Sequence, residues 1–136
     1  GLDIVPELIA GLAQAAASGT IAGQYLPGDI TCDALPFCDT ILCRDCLVHL
    51  SYENIGRAIA NFRMSGAAFL ITTTFPAWQA NSDCEDGDWW ALNFEHAPFR
   101  WGRPLITINE ECGEAGGGWS DKSLGVWRLA ELPLPD

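Results

Sequence analysis

Residues 39–75 carry an apolar run, DTILC, a polar turn, the stretch SYENIGRAIANFRM, and a second apolar run, AAFLITTTF. In the middle stretch Ile55, Ile59 and Phe62 fall at i, i+4 and i+7, one stripe of an amphipathic helix. Ser51 stands where an N-cap belongs, with Asn54 at the position a capping box fills with Glu or Gln. Gly66 ends the helix. AAFLITTTF is β-branched and aromatic, a strand composition. DTILC is short and continuously apolar, as in a parallel strand buried on both faces. Parallel strands cannot be joined by a tight turn, so a strand, a helix and a strand in this order predict a crossover unit.

The alternation extends in both directions. GLDIV is a short apolar run ending near an acid. PELIAGLAQAAAS follows as a helix, with Pro6 in its first turn, Glu7 favourable there, and Gly19 at its end. A weak strand is predicted from about Thr20 to Leu26, closed by Pro27-Gly28. Pro76 to Arg103 is Trp-, Asp- and Pro-rich with little periodicity, and is expected to be irregular with one short helix. RPLITINEEC and SLGVWRLAEL read as two strands joined by GEAGGGWSDK, a β-hairpin with a Gly-rich loop. The whole predicts one α/β domain over residues 1–136: a partial, Rossmann-like doubly wound sheet, mostly parallel, with a C-terminal antiparallel hairpin. In such sheets ligands sit at the carboxyl ends of the strands.

With 7 Lys and Arg against 18 Asp and Glu, the net charge is −11. That repels a phosphate backbone and an anionic membrane surface, so neither nucleic acid nor membrane is an expected partner. No basic-then-apolar leader opens the chain, and no apolar run approaches the roughly 18 residues of a membrane span. Six Cys are too few for a disulfide scaffold, and cytoplasmic, reduced thiols are the expectation. Gly1 stands at the start in the middle of an apolar pattern, and reads as a cut.

Three stretches in this order resemble the class I S-adenosylmethionine-dependent methyltransferases. GLDIVPELI resembles the family's second strand, ending in an acid before a helix. LPGDITCDALP resembles the end of the third strand, and CDTILCRDCLVHLS the fourth strand and the approach to the next helix. The closing hairpin falls where the family has its last two strands. The resemblance implies S-adenosylmethionine as cofactor, with Asp3 on the ribose hydroxyls, Asp29 on the adenine amino group and Ile30 against the ring. It places the Cys43 backbone and Arg44 by the methionine half and the acceptor, and makes Asp45 and His49 the candidate bases. Each has a plainer reading: Asp3 as a helix cap, Asp29 as a turn former, His49 as an orienting or buried histidine.

The family's Gly-rich turn after its first strand, some twenty residues before the acid, has no counterpart here. GEAGGGW joins two strands, whereas a cofactor turn joins a strand to a helix. The first strand is central in the family's sheet, so DTILC is expected to expose unpaired backbone and to pair with a second copy, as a homodimer or segment swap.

Cys43, Cys46 and His49 also recur every three residues, which could mean zinc or redox chemistry. Zinc would need a second close pair, but Cys32 and Cys38 are separated by five residues. A thioredoxin-like pair opens a helix around small residues, whereas this one brackets Arg-Asp. If residues 40–43 are strand, Cys43 and Cys46 lie on different elements and need not point together. Buried, inert thiols are favoured and no metal is expected. The aromatic stretch DWWALNFEHAPFRW is either a pocket wall, with Asp88, Asn93 and Glu95 as substrate contacts, or a lid over the sheet. Asp121-Lys122 is expected to be a solvated turn. Three functions remain open: a methyltransferase acting on a small molecule once completed by N-terminal elements, a non-catalytic self-associating module of that fold, and a zinc or thiol protein.

Overall fold

A computed structural model describes residues 1–135. Its strands are β1 (Leu2–Asp3), β2 (Leu26–Pro27), β3 (Thr40–Cys43), β4 (Phe69–Thr74), β5 (Ile106–Asn109) and β6 (Ser123–Arg128). The helices are α1 (Pro6–Ala17) and α2 (Tyr52–Met64). They form two sheets: a parallel pair β1–β2, and a four-stranded sheet in the order β3-β4-β6-β5. β3 and β4 are parallel across the α2 crossover, and the closing hairpin adds β6 and β5 antiparallel.

Helix α2 forms as its sequence predicts. Ser51 Oγ accepts from the Asn54 backbone N–H, while Ile55, Ile59 and Phe62 are fully buried against the sheet. The loop before the aromatic stretch adds two further caps: Asp86 accepts from the Ser51 N–H and Asp83 from the Tyr52 N–H. Carboxylates at this end also oppose the positive pole of the helix. Gly66, at φ 78°, turns the chain out of the helix in a conformation that costs residues with a Cβ. In β6, Gly125 leaves room for the Trp127 indole, which would overlap any Cβ there.

Three expectations differ. Residues 20–25 form no strand, because Thr20 and Ile21 both donate back to the Ala15 carbonyl to close α1, so pairing starts only at Leu26. β3 is not buried on both faces: Leu42 is 63% exposed, on a strand at the open edge of its sheet. Pro76–Arg103 is irregular throughout and holds no helix. No helix among the described residues is long and apolar enough to cross a membrane.

Candidate functional site

The register of the four-stranded sheet gathers four distant charges at one edge. β3 and β4 are parallel, so both end there, with Cys43 opposite Thr72. β6 runs the other way and begins there, Ser123 opposite Thr74, and β5 ends there, Asn109 opposite Ser123. Arg44 and Asp45 leave β3, Glu110 leaves β5, and Lys122 arrives immediately before β6. Asp45, at φ 51°, donates its backbone N–H to Thr73 Oγ1 at 2.8 Å. Its carboxylate takes Lys122 Nζ at 2.8 Å and Arg44 at 3.3 Å, and Arg44 Nε donates to Glu110 at 2.6 Å.

Lys122 is therefore no solvated turn. It is 9% exposed. Desolvation opposes its charge, but the hydrogen bond and negative charge of Asp45 outweigh that and raise its pKa. Two cations and the Thr73 hydroxyl already engage the carboxylate oxygens of Asp45. Lys122, the chain's only lysine, is the principal residue that sequence reasoning missed; its isolation in so acidic a chain was the available signal.

On one side of this cluster lies a cleft of about 580 Å³ between β1 and β3. Asp3, Ile30, Cys43 and Arg44, four of the five expected cofactor contacts, line it. Asp3 accepts from the Val5 N–H through Oδ1, the local cap of the plainer reading, which leaves Oδ2 for a ligand. Asp29 is not among the lining residues. Its Oδ1 accepts from the Thr31 N–H and hydroxyl, bonds that hold its pKa low, and it acts as a turn former. Cys43 and Cys46 both line the cleft, although β3 ends at Cys43.

On the other side is an aromatic pocket of about 240 Å³ lined by Phe75, Trp89, Trp119, Glu114 and Lys122. The rings meet edge-on, Trp89 and Trp119 with centroids 4.8 Å apart. The aromatic stretch thus does both things expected of it: Trp89 walls a pocket, while Phe94, Phe99 and Trp101 pack into the core with Trp127. His49 ends a short 3-10 turn, Leu47–His49, and its Nδ1 meets the Asp88 carbonyl at 2.8 Å. A carbonyl only accepts, so Nδ1 carries the proton of this hydrogen bond. Asp88 contributes this backbone carbonyl; its side chain is exposed.

Asn93 is no free substrate contact. It is 2% exposed and braces the loop, donating to the Pro76 and Trp78 carbonyls and accepting from the Glu95 N–H. Asn93 and Glu95 line a separate, open depression with His96 and Arg103. Among the described residues, no group of three or more His, Cys, Asp and Glu is placed to hold a metal ion.

No family model and no curated protein matches the sequence. Solved structures do match in fold. An O-methyltransferase family 2 protein from Planctomyces limnophilus, in complex with apigenin, superposes at a TM-score of 0.59 and 17% identity. The match covers 93% of this chain and 42% of that one. LaPhzM gives a TM-score of 0.59 at 13% identity, covering 94% of this chain and 41% of that one. PH0226 from Pyrococcus horikoshii gives 0.53 at 13% identity, covering 94% and 69%. The chain has a class I methyltransferase-like fold, and it spans about two-fifths of the length of the first two of these proteins.

Proposed function

We propose that this chain carries the strand-end half of an S-adenosylmethionine-dependent methyl-transfer site acting on a small aromatic acceptor. The observation that carries this reading is the pair of cavities on either side of one charged cluster. Arg44 lines the cleft, Lys122 lines the aromatic pocket, and Asp45 binds both. A cleft of this size suits a nucleoside-sized ligand. Asp3 would take the ribose hydroxyls, Ile30 would lie against the adenine, and the backbone at Cys43 and Arg44 would border the rest. Asp29, held in its own turn, is dropped from the contacts. The described residues contain no strand, glycine turn and helix to hold the amino-acid half, so the fit extends to the adenosine half.

When bound, the cofactor supplies an electrophilic methyl carbon on a sulfonium. The chain's part is to position the acceptor and to accept its proton. Asp45, already neutralised, orients Arg44 and Lys122 between the two cavities. His49 is the base, with Nδ1 fixed on the Asp88 carbonyl and Nε2 ready to take a proton. Trp89, the neighbour of Asp88, and Trp119 offer ring faces to a flat acceptor of the apigenin kind. Calorimetric titration with S-adenosylhomocysteine tests the reading: binding that weakens at least about tenfold in Asp3→Ala supports it. No binding by the wild-type chain, or equal binding by the variant, overturns it.

A second reading, a self-associating module, is favoured by the open edge of β3. Leu42 is 63% exposed on this edge strand, beside unpaired backbone. A second copy pairing there would cover it. Sedimentation equilibrium distinguishes the two: a dimer that Leu42→Lys dissociates supports self-association, and a stable monomer refutes it.

A further inference from the structure

The turn that carries Arg44 and Asp45 begins and ends in cysteine. Cys43 closes β3, residues 44 and 45 form the turn, and Asp45 adopts φ 51° to complete it. A turn of this kind brings its first and fourth Cα atoms within about 7 Å. A disulfide needs about 4.4–6.8 Å between the same atoms. Both residues line the same cleft. The other four cysteines are placed differently. Cys38 contacts Ser65 Oγ at 3.7 Å, Cys84 donates to the Leu50 carbonyl, Cys32 is exposed, and Cys112 follows β5.

We propose that Cys43 and Cys46 are a reversible dithiol lining the cleft, oxidised by hydrogen peroxide to a disulfide that locks the Arg44–Asp45 turn. The two sulfurs have different parts. Cys43 is buried, at 7% exposed, whereas Cys46 is only half-buried, so a peroxide entering the cleft reaches Cys46 first. Cys46 is therefore the attacking thiolate and Cys43 the resolving thiol.

The chemistry balances with the peroxide as sole oxidant. The Cys46 sulfur attacks one peroxide oxygen, the O–O bond breaks, and the departing oxygen leaves as water after taking a proton. Cys46 is then a sulfenic acid. Cys43 gives up its proton and attacks the Cys46 sulfur, the S–O bond breaks, and the hydroxyl leaves as a second water. Two electrons pass from the sulfur pair to the peroxide, and a thiol reductant returns them.

The consequence lies in what the turn holds. Its backbone is pinned through the Asp45 N–H on Thr73, and the Cys46 carbonyl accepts from the His49 N–H. Closing the sulfurs tightens the segment between Arg44 and His49. That this alters the candidate site rests on the function proposed above; the formation of the bridge does not.

The test treats the full chain with one equivalent of hydrogen peroxide, blocks remaining thiols with N-ethylmaleimide, and maps the peptides by mass spectrometry. The expected product has lost about 2 Da, has Cys43 bridged to Cys46 and the other four cysteines blocked, and reverts with dithiothreitol. Cys43→Ser should leave Cys46 as a sulfenic acid trapped by dimedone, and Cys46→Ser should leave Cys43 reduced. A wild-type chain that bridges other cysteines first, or stays fully reduced while its exposed Cys32 oxidises, overturns the proposal. The wild-type map needs neither variant to fold and no ligand, so its failure is separate from failure of cofactor binding.

Discussion

Lys122 Nζ and Asp45 Oδ1 lie 2.8 Å apart although 77 residues separate them in sequence. The pair ties the turn after β3 to the start of β6, and so joins the cleft to the aromatic pocket. It is a long-range clasp in which the chain's only lysine is nearly buried.

Removing that cation should loosen the cluster. Lys122→Met keeps the stem and leaves Asp45 with Arg44 alone, and is expected to cost about 1–2 kcal/mol. The figure lies below that for a fully buried pair because Asp45 retains 32% side-chain exposure. Urea denaturation measures it. A cycle with Asp45→Asn should return a coupling of about 1 kcal/mol, whereas additive effects would show that the two side chains do not act together.

The same clasp has a pH signature. The folded-state pKa of Lys122 is raised above 10.5, so its contribution is fully present below that value and is lost as pH rises through the folded value. The difference in urea midpoint between wild type and Lys122→Met should stay constant up to about pH 10 and shrink above it. A difference that grows with pH would contradict the pairing.

Asn93 should behave as a brace. Asn93→Ala removes the donor from the Pro76 and Trp78 carbonyls and should cost about 1–3 kcal/mol. Because its depression is separate from the cleft, S-adenosylhomocysteine affinity should change less than about twofold under folding conditions. Loss of affinity without loss of stability would contradict the brace.

Tyr52 presents the opposite case, a buried hydroxyl without a hydrogen-bond partner. Desolvation, then the charges of Asp83 and Cys84, push its pKa up to about 12. The neutral phenol is favoured on folding, so its stabilisation is present below about pH 10 and is lost as pH rises towards the folded value. Tyr52→Phe keeps the edge-on contact with Phe99 and should be neutral or stabilising near pH 7. Above pH 10 it should unfold less readily than wild type; an identical alkaline transition would count against the assignment.

What could be read from the sequence follows contact range. The stripe of Ile55, Ile59 and Phe62 and the run AAFLITTTF are set by local periodicity, and α2 and β4 stand where predicted. The closing hairpin was legible for the same reason. Residues 20–25 misled because their β-like composition was spent on closing α1 through Ala15. β3 misled because an apolar run records what a strand would bury, whereas exposure depends on which strands stand beside it. Asp3, Ile30, Cys43 and Arg44 could be grouped from strand ends, but Lys122 and Glu110 reach the site through antiparallel register, which no local pattern announces.

The central claim, that the cleft between β1 and β3 is a nucleoside site ending at the charged cluster, is tested most directly by an amide NMR titration with S-adenosylhomocysteine. The account predicts saturable shifts confined to Asp3, Leu26, Ile30 and residues 41–46, with the Gly-rich loop at 113–119 unmoved. Shifts centred on that loop, or none at saturating ligand, would contradict it.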